Sequence, residues 1–120
     1  MALVKQFYER KIPVDVELVS SARVAKAWAY VTYSAGTPTL QASSNVSGIT
    51  DTATGRLTVT IDTDFANANW AAVVSIEDAS EFFVWSLVSK AAGSVEIQMY
   101  GLTTAGLADP DAVSLVAYSA

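Results

Sequence analysis

Short apolar runs of period two, recurring about every ten residues between clusters of Gly, Pro, Asn, Asp and Ser, constrain this chain more than any other feature. The clearest is residues 56–62, where Leu57, Val59 and Ile61 alternate with Arg56, Thr58, Thr60 and Asp62. Residues 94–100 repeat the pattern, with Val95, Ile97 and Met99 inward, and residues 112–118 do so with Val113, Leu115 and Ala117. Residues 82–89 pair with 94–100 across Lys90-Ala-Ala-Gly93, and residues 70–77 form a further strand. Residues 23–33 are apolar on nearly both parities, which predicts a strand covered on two faces. Gly36 and Pro38 fit a hairpin leading to a return strand at Leu40, Ala42 and Ser44. Residues 51–55 read as a turn in which Asp51 caps its own backbone and Gly55 takes positive φ, and residues 63–69 as a connection around Phe65 with at most one helical turn. No window keeps a 3.6-residue period for three turns. The fold class is therefore all-β, an antiparallel β-sandwich or barrel of seven to nine strands with an N-terminal arm.

A length of 120 residues supports one core. We divide it into an attachment arm, residues 1–22, and a sandwich body, residues 23–120. The arm differs in kind: Lys5, Phe7, Tyr8, Arg10 and Lys11 form a basic, aromatic stretch, and after Pro13 the alternation Val14, Val16, Leu18 reads as one added strand, its proline at an edge or first position. Residues 1–26 carry five basic side chains (Lys5, Arg10, Lys11, Arg23, Lys26) against three acidic ones (Glu9, Asp15, Glu17), a balance of +2. The remainder holds Arg56 and Lys90 against nine carboxylates, a balance of −7. A basic arm meeting an acidic neighbour is one reading of this split, and ordinary surface solvation the other. The net charge of −5 argues against nucleic-acid binding, and the longest apolar runs are too short to span a membrane as helix.

Cysteine and histidine are both absent, which removes disulfides, thiolate catalysis, imidazole general bases and the usual zinc ligand sets. Asp62 and Asp64 at i and i+2 offer the one carboxylate pair open to such a chain, but carboxylates at a strand end more commonly cap amides. Asp109-Pro110-Asp111 lacks the spacing of a calcium loop. We expect no enzyme activity, no catalytic residue, no metal and no cofactor. Aromatic residues are more informative. Phe82 and Phe83 are adjacent in a strand and must face opposite ways, and Trp28, Tyr30, Tyr33, Trp70, Trp85, Tyr100 and Tyr118 add to a set too large for one small core. Outward aromatics serve as a saccharide platform, as packing against an identical subunit, or as a second core face. Tyr30, Tyr33, Trp85 and Tyr100 are the candidate surface or subunit contacts.

Lys26-Ala-Trp-Ala-Tyr-Val31, then Asn45-Val-Ser-Gly-Ile-Thr-Asp51 with Thr54-Gly55 and Thr58-Val59, then Ala68-Asn69-Trp70, resemble a short domain of tailed-bacteriophage structural proteins, the tail-fibre tip. Residues 95–100, the loop Ala108-Asp-Pro-Asp111 and residues 113–118 are similar as well, so the resemblance covers residues 26–120. Such tips usually end long fibres, whereas this sequence opens with a short arm that would supply the attachment. The resemblance implies a virion protein in a closed homo-oligomer, a trimer being favoured, bound to other virion proteins and displayed for adsorption to a host-surface glycan. A capsid or tail decoration or connector protein without receptor binding, and a stand-alone carbohydrate-binding module, are the alternatives. A mean hydropathy of +0.34 with only 16% charged residues fits apolar surface hidden between subunits.

Overall fold

The computed structural model describes residues 24–119, all of it strand, turn and loop. Nine strands follow in chain order: β1 (Ala27–Ser34), β2 (Thr37–Ser44), β3 (Val46–Ala53), β4 (Arg56–Ile61), β5 (Ala71–Glu77), β6 (Phe83–Ala91), β7 (Ser94–Gly101), β8 (Gly106–Leu107) and β9 (Ala112–Tyr118). They build two antiparallel sheets, β2-β1-β9-β5 and β3-β4-β7-β6, with β8 continuing the line of β4 beside β7. The attachment arm, with Lys5, Phe7, Tyr8, Arg10 and Lys11, lies outside the described residues.

The pleat decides which residues enter the core. Ala27, Ala29 and Val31 of β1, Leu57, Val59 and Ile61 of β4, Val95, Ile97 and Met99 of β7, and Val113, Leu115 and Ala117 of β9 are all buried. Each fully buried aliphatic side chain contributes roughly 1.5–3 kcal/mol of transfer free energy. Ala27 and Ala29 of β1 and Ala117 of β9 are small, while Leu57, Ile97 and Met99 of the other sheet supply bulk to the core. Among the described residues no polar or charged residue is buried.

β1 departs from the doubly covered strand expected of it. Its inner face carries the small residues, while Trp28 on the outer face stays 39% exposed. The hairpin turn falls at Ala35-Gly36, and Pro38 already belongs to β2, opposite Tyr33. Residues 46–53 are strand throughout, so Asp51 faces Leu57 across the β3–β4 ladder instead of capping a turn. The turn itself is Thr54-Gly55, with Gly55 at φ +71°. Residues 62–70 contain no helical turn.

On one side the sheets are joined by a single residue. β2 runs into β3 through Asn45, at φ 54°, a conformation asparagine tolerates better than most residues. Its side chain fastens the corner: Oδ1 accepts the Thr63 N–H at 2.7 Å, and Nδ2 donates to the carbonyls of Lys26 and Thr63. On the opposite side β5 and β6 do not pair, which leaves a seam. Trp70 plugs one end of it, 4% exposed, with the Phe65 ring tilted against it at 4.9 Å and its indole N–H donated to the Ala91 carbonyl. Lys90 lies over the Trp70 ring and donates to the Trp70 carbonyl.

Candidate functional site

The four candidate aromatics fall in different places. Tyr30 stands on the outer face of the β2-β1-β9-β5 sheet, where its hydroxyl donates to Glu77 Oε2 at 2.9 Å. That bond and the adjoining carboxylate charge hold its pKa above the ordinary phenol value. Tyr33 packs against the core and is no surface platform. Burial first, and then the charges of Asp109 and Asp51, push its phenol strongly upward. Trp85 faces the inner side of β6, opposite Met99, whereas Tyr100 lies opposite Val84 on the outer side. Trp85 and Tyr100 are therefore neighbours in the strand pair with side chains on opposite faces.

Around Tyr100 the sheet makes a surface the sequence did not reveal. Val84 of β6, Tyr100 of β7 and Leu107 of β8 are directly opposite one another in register and form one row across three strands. Val84 is 52%, Tyr100 39% and Leu107 41% exposed. The next row is polar: Ser86, Gln98 and Arg56 stand side by side, with Gln98 Nε2 donating to Ser86 Oγ at 2.9 Å. Arg56 Nε lies 3.5 Å from Glu96 Oε2, an ion pair not aligned as a hydrogen bond, with both of these atoms buried. A shallow groove lined by Val84, Trp85, Ser86, Gln98, Tyr100 and Leu107 runs between the two rows. What sequence reasoning missed is β8, whose two residues give no periodic signal yet bring Leu107 to the row.

The carboxylates gather at the loop end. Asp109 Oδ1 accepts the Gly55 N–H at 2.7 Å, and Asp111 Oδ2 accepts the Ala79 N–H at 3.0 Å. Asp78 Oδ1 accepts from the Ser80 and Glu81 amides and the Ser80 hydroxyl, and Glu81 accepts from the Thr103 and Thr104 amides and the Thr104 hydroxyl. Donation from Ser80 lowers the pKa of Asp78, and donation from Thr104 that of Glu81. These carboxylates organise loops. Asp62 and Asp64 follow the end of β4 and share no strand face, and Asp64 instead lies against Gly93. Among the described residues no three His, Cys, Asp or Glu side chains group as a metal site.

Comparison with protein-family models, with curated proteins and with solved structures finds no match to this chain.

Proposed function

We propose that this chain is a bacteriophage virion structural protein, a fibre tip or spike that contributes to host-surface attachment without catalysing a reaction. In this reading its N-terminal arm holds it on other virion proteins, its body sits in a closed homo-oligomer, a trimer being favoured, and the outer face of the β3-β4-β7-β6 sheet meets a surface glycan. The observation that carries the glycan contact is the Val84–Tyr100–Leu107 row beside Gln98, Ser86 and the Arg56–Glu96 pair. An aromatic face suits the C–H face of a sugar ring, and planar amide, guanidinium and carboxylate groups suit its hydroxyls. Because these residues stand on paired strands, little ordering cost attends binding. The order of short motifs along residues 26–120 supports the virion assignment.

The test is a glycan array probed with the full chain displayed multivalently, alongside Tyr100→Ala. Binding to a defined glycan class, weakened on the order of tenfold by Tyr100→Ala, supports the reading. A blank array at high avidity, or binding indifferent to Tyr100, overturns the receptor role. The second reading, a decoration or connector protein, is favoured by a separate observation: the acidic residues gathered at the loop end, against the basic balance of residues 1–26. A blank array together with particle incorporation that is lost at high salt is its expected outcome.

A further inference from the structure

No residue of β6 is fully buried, although Val95, Ile97 and Met99 of its neighbour β7 are. Trp85 lies opposite Met99 and Leu87 opposite Ile97, yet they are 37% and 39% exposed, and Val84 on the outer face is 52% exposed. Among the described residues no strand pairs with the far side of β6. The backbone groups on that side follow from its neighbour. Met99 donates its N–H to the Gly55 carbonyl and accepts the Ala108 N–H on its own carbonyl, so it directs both groups away from β6. Trp85, opposite it, is therefore a non-hydrogen-bonded position and directs its own N–H and C=O to the free edge. Alternation gives Phe83 and Leu87 the same direction, in agreement with the Leu102 N–H donated to the Phe82 carbonyl. The other sheet edges are blunted: β2 carries Pro38, β3 Asp51 and β5 Glu77. Residues 82–89 carry no charge, and Lys90 comes only after the register shift that follows Leu87.

We propose that this edge pairs with the same edge of a second copy, antiparallel and about a twofold axis at Trp85. The run is self-complementary in that register: Phe83 faces the second copy's Leu87, Val84 its Ser86, and Trp85 its own counterpart. The positions with outward backbone, Phe83, Trp85 and Leu87, then face one another and exchange both ladder bonds at each pair. Directly opposite residues share a face, so the inward Trp85 and Leu87 of each copy cover those of the other, and the Val84–Tyr100–Leu107 row stays on the outer surface. Charge selects the direction. Asp78 and Glu81 precede the run and Lys90 follows it, so antiparallel pairing sets the basic end of one copy toward the acidic end of the other, whereas parallel pairing would set like charges together. Between those ends nothing charged opposes a strand meeting its own copy. The proposal rests on the homo-oligomer proposed above and names its contact, a twofold pair that stands as a dimer or joins two trimers; it is independent of any glycan contact.

Because the chain has no cysteine, single substitutions report the register. Full chains carrying Val84→Cys and full chains carrying Ser86→Cys are oxidised mildly, each alone and as an equilibrated mixture. The mixture is expected to form covalent dimers on the order of tenfold faster than either alone, because Val84 and Ser86 face each other across the two copies while like positions are diagonal. Light scattering at micromolar concentration is expected to give an even multiple of 12.7 kDa. Leu87→Lys, at an exposed position, is expected to halve that mass with the circular dichroism unchanged. Cross-linking no faster in the mixture, or a trimer indifferent to Leu87→Lys, would overturn the twofold contact and leave the homo-oligomer standing, whereas a strict monomer would overturn both. Protection of the Trp85 amide from hydrogen exchange at dilutions where the chain is monomeric would reveal an occupant other than a second copy and overturn the pairing as well.

Discussion

Gly55 concentrates the demands of one tight turn on a single residue. At φ +71°, a Cβ there would lie 2.7 Å from the Ala108 amide nitrogen and 2.8 Å from the Met99 carbonyl oxygen, both backbone atoms that cannot step aside. Gly55→Ala is therefore expected to cost at least about 2 kcal/mol in denaturant unfolding. Gly48 is the contrast, a strand residue at which an added methyl would meet nothing within 4 Å, and Gly48→Ala is expected to stabilise by about 0.5 kcal/mol. Asp78 and Glu81 set the acid response at this scale. Both have folded pKa values below the ordinary carboxylate range, so their contribution is complete above the unfolded values near ~4 and is lost as pH falls through the lowered folded ones. Replacing both, as Asp78→Asn with Glu81→Gln, is expected to lower stability at neutral pH and to flatten its decline toward pH ~3, measured by denaturant midpoints across that window.

At the scale of strands, burial and parity predict where substitutions matter. Ile97→Ala in β7 removes a side chain with 0% exposure and is expected to cost about 2–5 kcal/mol, whereas Val73→Ser on the outer face of β5, at 56% exposure, should stay within about 0.5 kcal/mol. Thermal and denaturant unfolding of the two variants side by side checks the difference. The same property explains what was legible beforehand. β4, β7 and β9 each divide one face between core and water, and that asymmetry is written in their residues. β3 is not written that way: it is an edge strand carrying Gly48, Thr50, Asp51 and Thr52, polar enough to pass for loop. β1 misled for the opposite reason, since its two parities are both apolar and only side-chain size, alanine within and Trp28 without, separates them. Tyr100 was legible as outward, while its companions Val84 and Leu107 depended on pairings that no local pattern records. Trp85, expected to face outward, instead has the inner parity of β6, opposite Met99, and is 37% exposed there.

The molecule taken whole exposes more apolar surface than its paired faces require. Phe82 at 83%, Val84, Leu102 and Leu107 lie near one another on the β6–β7–β8 side, and Trp28, Val73 and Tyr118 lie on the outer face of the other sheet. Patches of this kind mark association surfaces. Light scattering of the purified full chain at micromolar concentration is expected to give a mass that is a multiple of 12.7 kDa. A strict monomer would count against the oligomer proposed above. The placement of β1 also bears on how this body carries load. β1 and β9 are antiparallel neighbours, with β2 on the far side of β1, and Val24 precedes β1 at the end opposite the acidic loops. Tension between the arm and those loops runs along β1, so its ladder bonds are strained all at once in shear, not peeled in sequence. A part tethered by residues preceding Val24 and gripped at residue 109 should thus resist rupture far better in single-molecule pulling than one gripped at residues 24 and 118, where the β1–β9 ladder unzips bond by bond.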